Sequence, residues 1–581
     1  MGVAPVEYPP PVDSAREFVG PPQDGPDDQI DVGVAIVGGG PAGLACAIRL
    51  TQLLEEEPRI AEELGEVPVA LVEKGRNAGS HLLSGGIMRP SGMEALFPEM
   101  PRDEWPTYGE VTGEAVYMML NNKRAVKFPK VPPPFRNEGN YVVSVAELGR
   151  WLAGRAEEAG VYVLPETAAT RLLVEDGVVR GVRTGDKGRG KEGQELSNFE
   201  PGSELTARAT VLSEGTQGHL AGAAIGYFDE LGSDEPPQWE LGVKEVWRVA
   251  KPLEKVIHTM GWPLRLGAKY REFGGSWIYP MGEDKVSLGF VAGLDYADAT
   301  FSVHDVLQEF KLHPMIRNLL DGGERLAWGA KTIPSGGHWA MPQQLWAPGL
   351  CIAGDSAGMV NVPQLKGIHY AMHAGMFAAE AIMDALKDGS TEDLSGYEER
   401  VRGSVIDKEI YRSRNMRQVF SKGFVVGGAL ANMMEMTGGR FPGGTYHTHD
   451  DAAVDLFIGD RGKTYPKPDN KLTFDKLSSV FATGNATRDD APSHIRVQEN
   501  VPVEVALMWQ NMCPAAVYEV PEAELERLGA AGGNGDLKGR EGEMVHVHVT
   551  PSNCVQCGAI TAKGGRLTPP EGGDGPNYQQ T

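Results

Sequence analysis

A glycine-rich segment between an apolar run and an alanine-rich run constrains the fold of this chain more than any other feature. Residues 31–50 read DVGVAIVGGGPAGLACAIRL. The β-branched residues at the start predict a strand, and the pattern after Gly43 predicts a helix. Strand, tight glycine turn and helix, in this order, are the context in which a GxGxxG motif predicts dinucleotide binding.

Each position of this turn has a physical role in the predicted site. Gly38 allows the tight turn, and Gly40 lets the backbone approach a pyrophosphate. Pro41 and Ala42 open the helix, whose free N–H groups and dipole favour the phosphates. Gly43 permits close packing of the helix on the strand. We therefore expect these five residues to bind the cofactor.

A second predicted strand, residues 67–74, carries an acid at its end. Glu73 is placed there to accept hydrogen bonds from ribose hydroxyls. It lies farther from the glycine motif than the usual ~20 residues. The acidic helical stretch LLEEEPRIAEELGE, which lies between them, accounts for the difference. Strand, turn, helix and terminal glutamate together predict a dinucleotide-binding domain.

A distant segment indicates FAD rather than NAD. Residues 348–361, PGLCIAGDSAGMVN, combine a short apolar strand with Gly354 and Asp355 at the start of a helical stretch. In two-domain FAD-binding folds the chain returns to the first domain at such an element, where the aspartate meets the ribityl hydroxyls. Residues 208–219, RATVLSEGTQGH, form a similar strand–Glu–Gly element. An ordinary strand end is the alternative for either segment alone.

Composition excludes several classes of function. The net charge of −24 argues against a nucleic-acid partner, because phosphate contacts need clustered Lys and Arg. No stretch reaches the ~20 apolar residues of a membrane-spanning helix. Residues 1–29 are rich in proline and acid, and we expect them to form a disordered arm without a secretory signal. The chain is therefore expected to be cytoplasmic.

Short segments spread over residues 30–578 carry a family resemblance. They follow one another in the order of the family pattern: VEKG (72–75), LLSGGI (82–87), SEGTQGHLA (213–221), GVKEVW (242–247), HTMGWPL (258–264), FGGSWIYP (273–280), NVPQLKGIHYAMHAG (361–375), CPAAVYE (513–519), NCVQC (553–557) and PEGGDGPNY (570–578). In these segments the chain resembles the electron transfer flavoprotein–ubiquinone oxidoreductase family. The resemblance covers nearly the whole chain.

This resemblance implies an α/β and α+β protein. It has an FAD-binding two-domain Rossmann-like fold with a quinone-binding domain and a C-terminal ferredoxin-like domain. The expected boundaries are residues 30–265 and 340–400 for the FAD-binding domain, 266–339 for the quinone-binding core, 401–470 for a helical membrane-surface or linker region and 471–581 for the ferredoxin-like iron–sulfur domain. The implied activity is electron transfer from reduced electron transfer flavoprotein, through FAD and an iron–sulfur cluster, to membrane quinone.

The resemblance also implies a quinone site and a membrane face. The family's quinone-contacting glycine pair falls on Gly274 and Gly275, where a flat ring can approach the backbone; a strand bulge is the alternative. The family is similar to proteins that lie on the bilayer, here the inner face of the cell membrane. Residues 108–128 and 420–436 are the candidate contact segments, although a core helix explains the second equally well.

Three cysteines match the family's iron–sulfur pattern, and one position departs from it. Cys513, Cys554 and Cys557 match the first three cluster ligands, whereas the fourth position falls on Ile560. A 4Fe–4S cluster normally takes four thiolates, and isoleucine cannot bind iron. Three possibilities remain: a 4Fe–4S cluster with a non-cysteine fourth ligand, a 3Fe–4S cluster on three thiolates, or a lost cluster.

The segment between these cysteines has two further features. Residues 530–543 are polar and glycine-rich, which is typical of a surface loop. His546 and His548 alternate in MVHVHVT, and this favours a solvent-facing pair on a strand over a ligand pair.

Two other functions remain open. One is a flavoprotein similar to geranylgeranyl reductases or aromatic hydroxylases, which need no ferredoxin-like region; CPAAVYE and PEGGDGPNY argue against it. The other is a non-catalytic docking flavoprotein in which loss of the cluster has ended quinone turnover. We assign no catalytic triad or carboxylate pair, because a redox cofactor carries this chemistry itself.

Overall fold

The computed structural model describes residues 2–23, 25, 28–530 and 537–581. Residues 531–536 of the expected loop at 530–543 therefore lie outside the described residues. Strands and helices are numbered along the chain. The helices are α1 (Ser14–Glu17), α2 (Pro41–Glu56), α3 (Pro58–Glu63), α4 (Ser91–Leu96), α5 (Val145–Glu158), α6 (His219–Tyr227), α7 (Val303–Lys311), α8 (Pro314–Leu320), α9 (Ile368–Lys387), α10 (Ser395–Gly403), α11 (Val405–Arg412), α12 (Phe424–Met436), α13 (Lys476–Phe481), α14 (Val503–Met512) and α15 (Glu522–Arg527).

The first sheet is mainly parallel around its centre. Its strands are β1 (Val19–Gly20), β2 (Gln29–Val37), β3 (Val69–Val72), β8 (Tyr162–Leu164), β9 (Ala169–Glu175), β10 (Val178–Thr184), β13 (Glu204–Leu212), β19 (Trp346–Ala347) and β20 (Leu350–Ile352). The main path runs β1-β9-β10-β13-β2-β3-β8, and β20 pairs with β13. Since β2, β3, β13 and β20 run parallel, their carboxyl ends meet at one edge of the sheet.

Helices α2 and α9 cover this sheet and pack closely on each other. Pro41 begins α2 directly after Gly40, and proline suits a first helical position because its missing N–H has no helical partner there. A Cβ on Gly375 of α9 would overlap the carbonyl oxygen of Ala42. Glycine at this position therefore lets α9 lie against the start of α2, at the edge where the parallel strands end.

The second sheet is mainly antiparallel and has the order β18-β14-β17-β16-β15-β5-β6. Its strands are β5 (Glu114–Met119), β6 (Ala125–Lys127), β14 (Trp239–Arg248), β15 (Val256–Gly261), β16 (Gly274–Met281), β17 (Lys285–Gly293) and β18 (Glu324–Pro334). The expected start of this domain at residue 266 is wrong, because β14 pairs along its length with both β17 and β18. Helix α7 packs on β14 and β17.

The C-terminal region consists of short elements that share the core of the second sheet. Helices α13 to α15 accompany the paired strands β21 (Ile495–Arg496) with β26 (Arg566–Leu567), β22 (Asn500–Pro502) with β24 (Met544–His546), and β23 (Tyr518–Glu519) with β25 (His548–Val549). Trp509 is buried and donates a hydrogen bond to the carbonyl oxygen of Lys563. Elsewhere β4 (Ile87–Met88) pairs with β7 (Tyr141–Val142), and β11 (Lys187–Arg189) pairs with β12 (Glu195–Glu200).

The expectation of a disordered arm over residues 1–29 is wrong for much of its described part. Val3 forms a β-bridge with Leu456. Asp13 caps α1, and β1 adds a parallel strand to β9. The apolar side chain of Val19 is buried in the first core. Prolines reduce the entropy that such a segment loses on ordering, so an acidic, proline-rich composition is compatible with docking here.

Candidate functional site

The glycine turn between β2 and α2 has the backbone that the motif predicts. Gly38 has a φ of +106°, a conformation that side-chain-bearing residues rarely adopt. A Cβ on Gly43 would overlap the carbonyl oxygen of Gly38, so only glycine allows α2 to come this close to β2. At Gly40 the nearest atom to an added Cβ is a leucine methyl 3.7 Å away. The backbone there is open to a ligand at the N-terminus of α2.

Glu73 lies directly after β3, beside the same turn. Its carboxylate accepts hydrogen bonds from the backbone N–H groups of Gly39, at 2.8 Å, and Gly75, at 2.6 Å. Both bonds hold the side chain against the glycine turn. The carboxylate is therefore fixed where a ribose joined to a pyrophosphate at α2 would lie.

The segment that contains Gly354 and Asp355 lies beside the glycine turn at the start of α2. Gly354 follows β20 with a φ of +69°, and a Cβ on it would lie 3.1 Å from the Cβ of Ala42. Asp355 faces the same cavity as the glycine turn, and burial raises its pKa to about 6. Glu214, in the middle strand–Glu–Gly element, accepts hydrogen bonds from three backbone N–H groups at the start of α6. Its visible role is to cap that helix.

One cavity of about 620 Å³ joins these residues to the second sheet and to α12. At one end it is lined by Gly38–Ala42, Glu73 and Asp355. Its middle lies over β15 and β16, where Gly274 and Gly275 belong to its wall. Its volume falls in the range of about 300–1,000 Å³ that small-molecule and cofactor sites occupy. The cavity therefore connects the predicted flavin site with the predicted quinone site.

The packing of the second sheet itself requires glycine at positions 274 and 275. Gly274 has a φ of +144°, and a Cβ there would overlap the carbonyl oxygen of Val291. A Cβ on Gly275 would lie 2.5 Å from the carbonyl oxygen of Thr259. Strand pairing alone therefore excludes side chains at both positions. Their contact with a quinone stays a prediction.

The register of β15 and β16 brings an unpredicted pair of side chains to the cavity. His258 lies opposite Trp277, and Gly275 and Tyr279 flank Trp277 at alternate positions, on the same face. All four residues line the cavity. The His258 Nε2 and the Tyr279 hydroxyl lie 2.7 Å apart. The sequences HTMGW and GGSWIY predict that alternate side chains of each strand share a face. They do not show which residues of the two strands lie opposite each other, and this needed the sheet register.

The three C-terminal cysteines are buried as free thiols. The Cys513 sulfur accepts a hydrogen bond from the Ala515 N–H, and the Cys554 sulfur from the Gln556 N–H. Hydrogen bonds of this kind surround the thiolates of iron–sulfur clusters and tune their potential. Burial raises the pKa of the Cys557 thiol to about 12, and an iron ion would offset this by displacing the proton.

The three cysteines match three of the family's four ligand positions, and the fourth position has no donor atom. Burial raises the pKa of Tyr518, and the neighbouring Cys513, Cys554 and Cys557 raise it further, so all three cysteines lie near this one side chain. Within the described ranges, no three His, Cys, Asp or Glu side chains converge on a single metal ion; cluster thiolates bind different irons and need not converge so tightly. Ile560 is 4% exposed and packs in the apolar core.

The cysteine loop borders the same cavity as the flavin motif. Gln556 and Gly558 line the cavity, on either side of Cys557. The loop is tied to β18, because Thr332 donates its backbone N–H to the Cys557 carbonyl oxygen at 2.8 Å. The ammonium group of Lys331 donates to the Gln556 carbonyl oxygen at 3.0 Å. A group held by the cysteines would therefore be a neighbour of the flavin site.

Helix α12 closes the other end of the cavity. Gly428, Asn432 and Glu435 line the cavity and follow one another at helical spacing. Val425 and Met436 lie on the side of α12 away from its buried residues, Gly427 and Met434, and are 80% and 83% exposed. Within the part of the chain that the structure describes, every helix is too short or too polar to cross a bilayer.

Two family models match the chain. One, described as "ETF-QO, ubiquinone-binding", matches residues 239–333, which begin with β14. The other, "Electron transfer flavoprotein-ubiquinone oxidoreductase, 4Fe-4S", matches residues 470–579. A solved structure of a geranylgeranyl bacteriochlorophyll reductase-like protein from Thermoplasma acidophilum has a TM-score of 0.53 at 17% identity, covering 71% of this chain and 92% of that one. With the two sheets, this likeness confirms the predicted fold class.

Curated relatives match over almost the full length of the chain. The mitochondrial electron transfer flavoprotein–ubiquinone oxidoreductase of Oryza sativa subsp. japonica is 36% identical, covering 94% of this chain and 92% of the relative. The electron transfer flavoprotein–ubiquinone oxidoreductase of Pseudomonas aeruginosa is 35% identical, covering 95% of this chain and 99% of the relative. This chain belongs to the electron transfer flavoprotein–ubiquinone oxidoreductase family.

Proposed function

We propose that this chain is an FAD-dependent oxidoreductase that takes electrons from reduced electron transfer flavoprotein and passes them to a quinone. The relatives bear the name of this activity over nearly the same length. The observation that carries the proposal is the single cavity, which runs from the glycine turn past β16 to α12. FAD and a quinone can therefore occupy two parts of one cavity.

The residues at the inner end of the cavity suit FAD. Gly38, Gly40, Pro41, Ala42 and Gly43 form the turn and helix start that hold its pyrophosphate. The Glu73 carboxylate holds the ribose. Gly354 and Asp355 face the ribityl chain. Bound here, FAD supplies reversible electron storage, and the protein supplies orientation and exclusion of water.

The middle and outer parts of the cavity suit a quinone. Gly274 and Gly275 present bare backbone, so a flat ring can lie against β16. The ring would then lie on the same sheet face as Trp277. A prenyl tail would leave under α12, since Gly428 lines the cavity at that end. This placement fits a lipid-soluble acceptor that enters from a membrane.

We place α12 on the membrane surface, with the chain peripheral on the cytoplasmic side of the cell membrane. Val425 and Met436 expose most of their apolar surface, and an exposed apolar helix face is the usual means of shallow insertion. The hairpin of β5 and β6, within the other candidate segment at residues 108–128, exposes Leu120 and Val126. A reducing compartment is compatible with five free cysteines.

For the iron–sulfur centre, we propose a three-thiolate cluster on Cys513, Cys554 and Cys557. The family's cluster has four irons by name, but Ile560 offers no donor and is packed in the core. Three thiolates without a fourth ligand suit a 3Fe–4S cluster. Iron and acid-labile sulfide per flavin, with electron paramagnetic resonance spectra of the oxidised and reduced protein, test this directly.

We expect about three irons per flavin and a signal in the oxidised protein. The Ile560→Cys variant should instead hold about four irons and give its signal when reduced. Ile560→Val is the matched control and should keep the spectrum of the wild type. Absence of iron in anaerobically purified wild-type protein would overturn the cluster assignment while leaving the FAD assignment intact.

The quinone path is tested by narrowing the cavity at α12. A Cβ on Gly428 would meet no atom within 4 Å, so Gly428→Leu fills the space under the helix without a backbone clash. We expect kcat/KM for a short-chain ubiquinone analogue to fall at least about tenfold, with reduction of the enzyme by its donor unchanged. Gly154→Leu on α5, which is equally open, should leave both rates unchanged. Equal quinone kinetics in all three proteins would contradict this path.

A further inference from the structure

Gly242 is a glycine in a central strand of the second sheet, and the packing of that sheet does not require it. It lies on β14, between the partner strands β17 and β18. A Cβ added at this position would have its nearest neighbours 3.6 Å away, a Val291 methyl group and the Lys331 carbonyl oxygen, at ordinary van der Waals distance. Glycine weakens a strand interior relative to alanine. The sheet itself therefore gives no reason for glycine here.

The bare side of Gly242 faces the cavity. Gly242 and Glu240 both line the cavity, whereas Leu241 and Val243 belong to the apolar core on the other face of β14. Gly40 has the same two properties: it lines the cavity, and an added Cβ would meet its nearest atom only at 3.7 Å. That is the position at which the motif predicts a close approach of the pyrophosphate. A wall glycine without a packing reason is thus typical of close contact between backbone and ligand.

This part of β14 borders the flavin end of the cavity. Thr332, which follows the cross-strand partner of Gly242 on β18, has its hydroxyl 2.9 Å from the hydroxyl of Thr216. Thr216 lies just beyond β13, where the Ser213 hydroxyl is 3.2 Å from the Gly38 carbonyl oxygen. β18 and its neighbour β14 are therefore held beside the glycine turn, at the inner part of the cavity.

The sheet register also sets the distance from Gly242 to the proposed quinone position. Lys331, Gly242, Val291 and Gly275 lie opposite one another on β18, β14, β17 and β16, and all four line the cavity. Neighbouring strands are about 4.8 Å apart, so Gly242 and Gly275 are about 10 Å apart on one sheet face. Val291 is the side chain between these two bare positions. Two flat rings can therefore lie side by side on this face, one on either side of Val291.

We propose that the isoalloxazine ring of FAD lies on the bare backbone of β14 at Gly242. The inference rests on the proposed function, in which FAD occupies the inner end of the cavity. A flat ring can reach van der Waals contact with a strand only where no side chain stands between them. A side chain at position 242 would hold the ring away from the sheet. Gly242 then positions the flavin beside a quinone on Gly275, with Val291 as the spacer between them.

The test compares FAD with ADP, the half of FAD that the glycine turn and Glu73 would hold. Both are titrated by calorimetry into the full-length protein after removal of its flavin. In Gly242→Val we expect FAD affinity to fall at least about tenfold and ADP affinity to stay within about twofold of the wild type, because the valine side chain takes only the space of the ring. Thermal unfolding of the flavin-free variant should occur at the wild-type temperature or above it, since valine suits a strand. Gly242→Ala should change the FAD affinity in the same direction by a smaller factor, and it keeps the test open if valine disturbs folding.

A matched glycine on another strand separates ring contact from a general effect on binding. Gly20→Val, on β1, is the control, because an added Cβ there meets only an Arg171 carbon at 4.0 Å and the described lining of the cavity does not include it. It should leave both affinities unchanged. The proposal is overturned if Gly242→Val and Gly242→Ala weaken FAD and ADP by the same factor, or weaken neither. A raised KM for the quinone analogue with unchanged FAD affinity would also overturn it, since the quinone would then occupy Gly242. Wild-type protein that binds neither FAD nor ADP would contradict the proposed function itself.

Discussion

At the scale of single residues, Glu73 has the most clearly defined task. Its carboxylate binds two backbone N–H groups of the glycine turn. We expect Glu73→Ala to weaken FAD binding at least about tenfold. Removing one charged hydrogen bond to the ribose costs about 1.4 kcal/mol of binding free energy. Titration of the flavin-free protein by flavin fluorescence measures this. Glu66→Ala, at an exposed acid before β3, should leave the dissociation constant unchanged; equal weakening in both variants would contradict the assignment.

The pKa of Asp355 gives a prediction with a defined sign. Burial raises it to about 6 in the flavin-free protein, above the unfolded value of about 3.9. A raised pKa adds stability below the unfolded value, and this stability is lost as the pH rises through about 6. Flavin-free Asp355→Asn should therefore become more stable than the wild type by about 2–3 kcal/mol at pH 7.5. The difference should shrink at lower pH.

The measurement for Asp355 is thermal unfolding of both flavin-free proteins between pH 5 and pH 7.5. The sign of the difference is the decisive quantity. A wild type that gains stability over Asp355→Asn as the pH rises would show that the carboxylate is stabilised by a partner, and that the burial argument is wrong.

Single residues also show which parts of the site sequence could reveal. Gly38 and Gly43 were predictable because their backbone requirements, a positive φ and a close helix contact, are local. The place of His258 on the cavity wall was not predictable, because it depends on which strand pairs with β15. The segment HTMGWPL alone does not indicate that Tyr279 lies beside His258 on the neighbouring strand.

At the scale of elements, α7 is fixed to the second sheet by a buried ion pair. The Lys311 ammonium lies 2.8 Å from the Glu245 carboxylate, and both side chains are fully buried. We expect Lys311→Met to destabilise the protein by about 3–5 kcal/mol, because it leaves a buried charge short of its main partner. Chemical denaturation measures the change. Arg59→Met, which removes an exposed ion pair with Glu63, should change stability by at most about 0.5 kcal/mol.

Helix α12 carries the membrane prediction. We expect the double variant Val425→Glu and Met436→Glu to lose binding to liposomes of bacterial phospholipids, since each change puts a charge on the face proposed to enter the bilayer. Flotation of the flavin-bound protein measures this. Tyr162→Glu, on the exposed edge strand β8, is the control and should float as the wild type does. Unchanged flotation of the double variant would place the membrane face elsewhere.

Element boundaries were predictable only where the signal is local. The strand–turn–helix of β2 and α2 follows from apolar pattern and glycines. Residues 239–261 were assigned to the wrong domain, because β14 and β15 resemble any other buried strands until their partners are known. The N-terminal arm was mistaken for disorder, since composition does not show that Val19 has a buried place beside β9.

At the scale of the whole molecule, three regions meet around one cavity. The first sheet supplies the glycine turn, the second supplies β15 and β16, and the C-terminal region supplies the cysteine loop. That loop is bound to β18 through Thr332 and Lys331. The buried Tyr578 hydroxyl accepts from the N–H of Ala330 in the same strand at 3.1 Å. β18 thus holds the C-terminal region beside the flavin end of the cavity.

This arrangement explains both the success and the limit of prediction for the whole chain. The cofactor identities followed from motifs that are far apart in sequence and converge in space. The departure at Ile560 was visible in the sequence, whereas its burial in an apolar core, which argues against a replacement ligand, needed the structure.

The central claim is electron transfer from the flavoprotein donor to quinone, and one measurement tests it most directly. Reduced electron transfer flavoprotein is mixed anaerobically with catalytic amounts of this enzyme and a short-chain ubiquinone analogue, and quinol formation is followed. The account predicts rapid, enzyme-dependent formation of one quinol for every two electrons that the donor loses. Rapid reduction of the enzyme by the donor, with quinol formation no faster than without enzyme, would contradict it and support a docking flavoprotein.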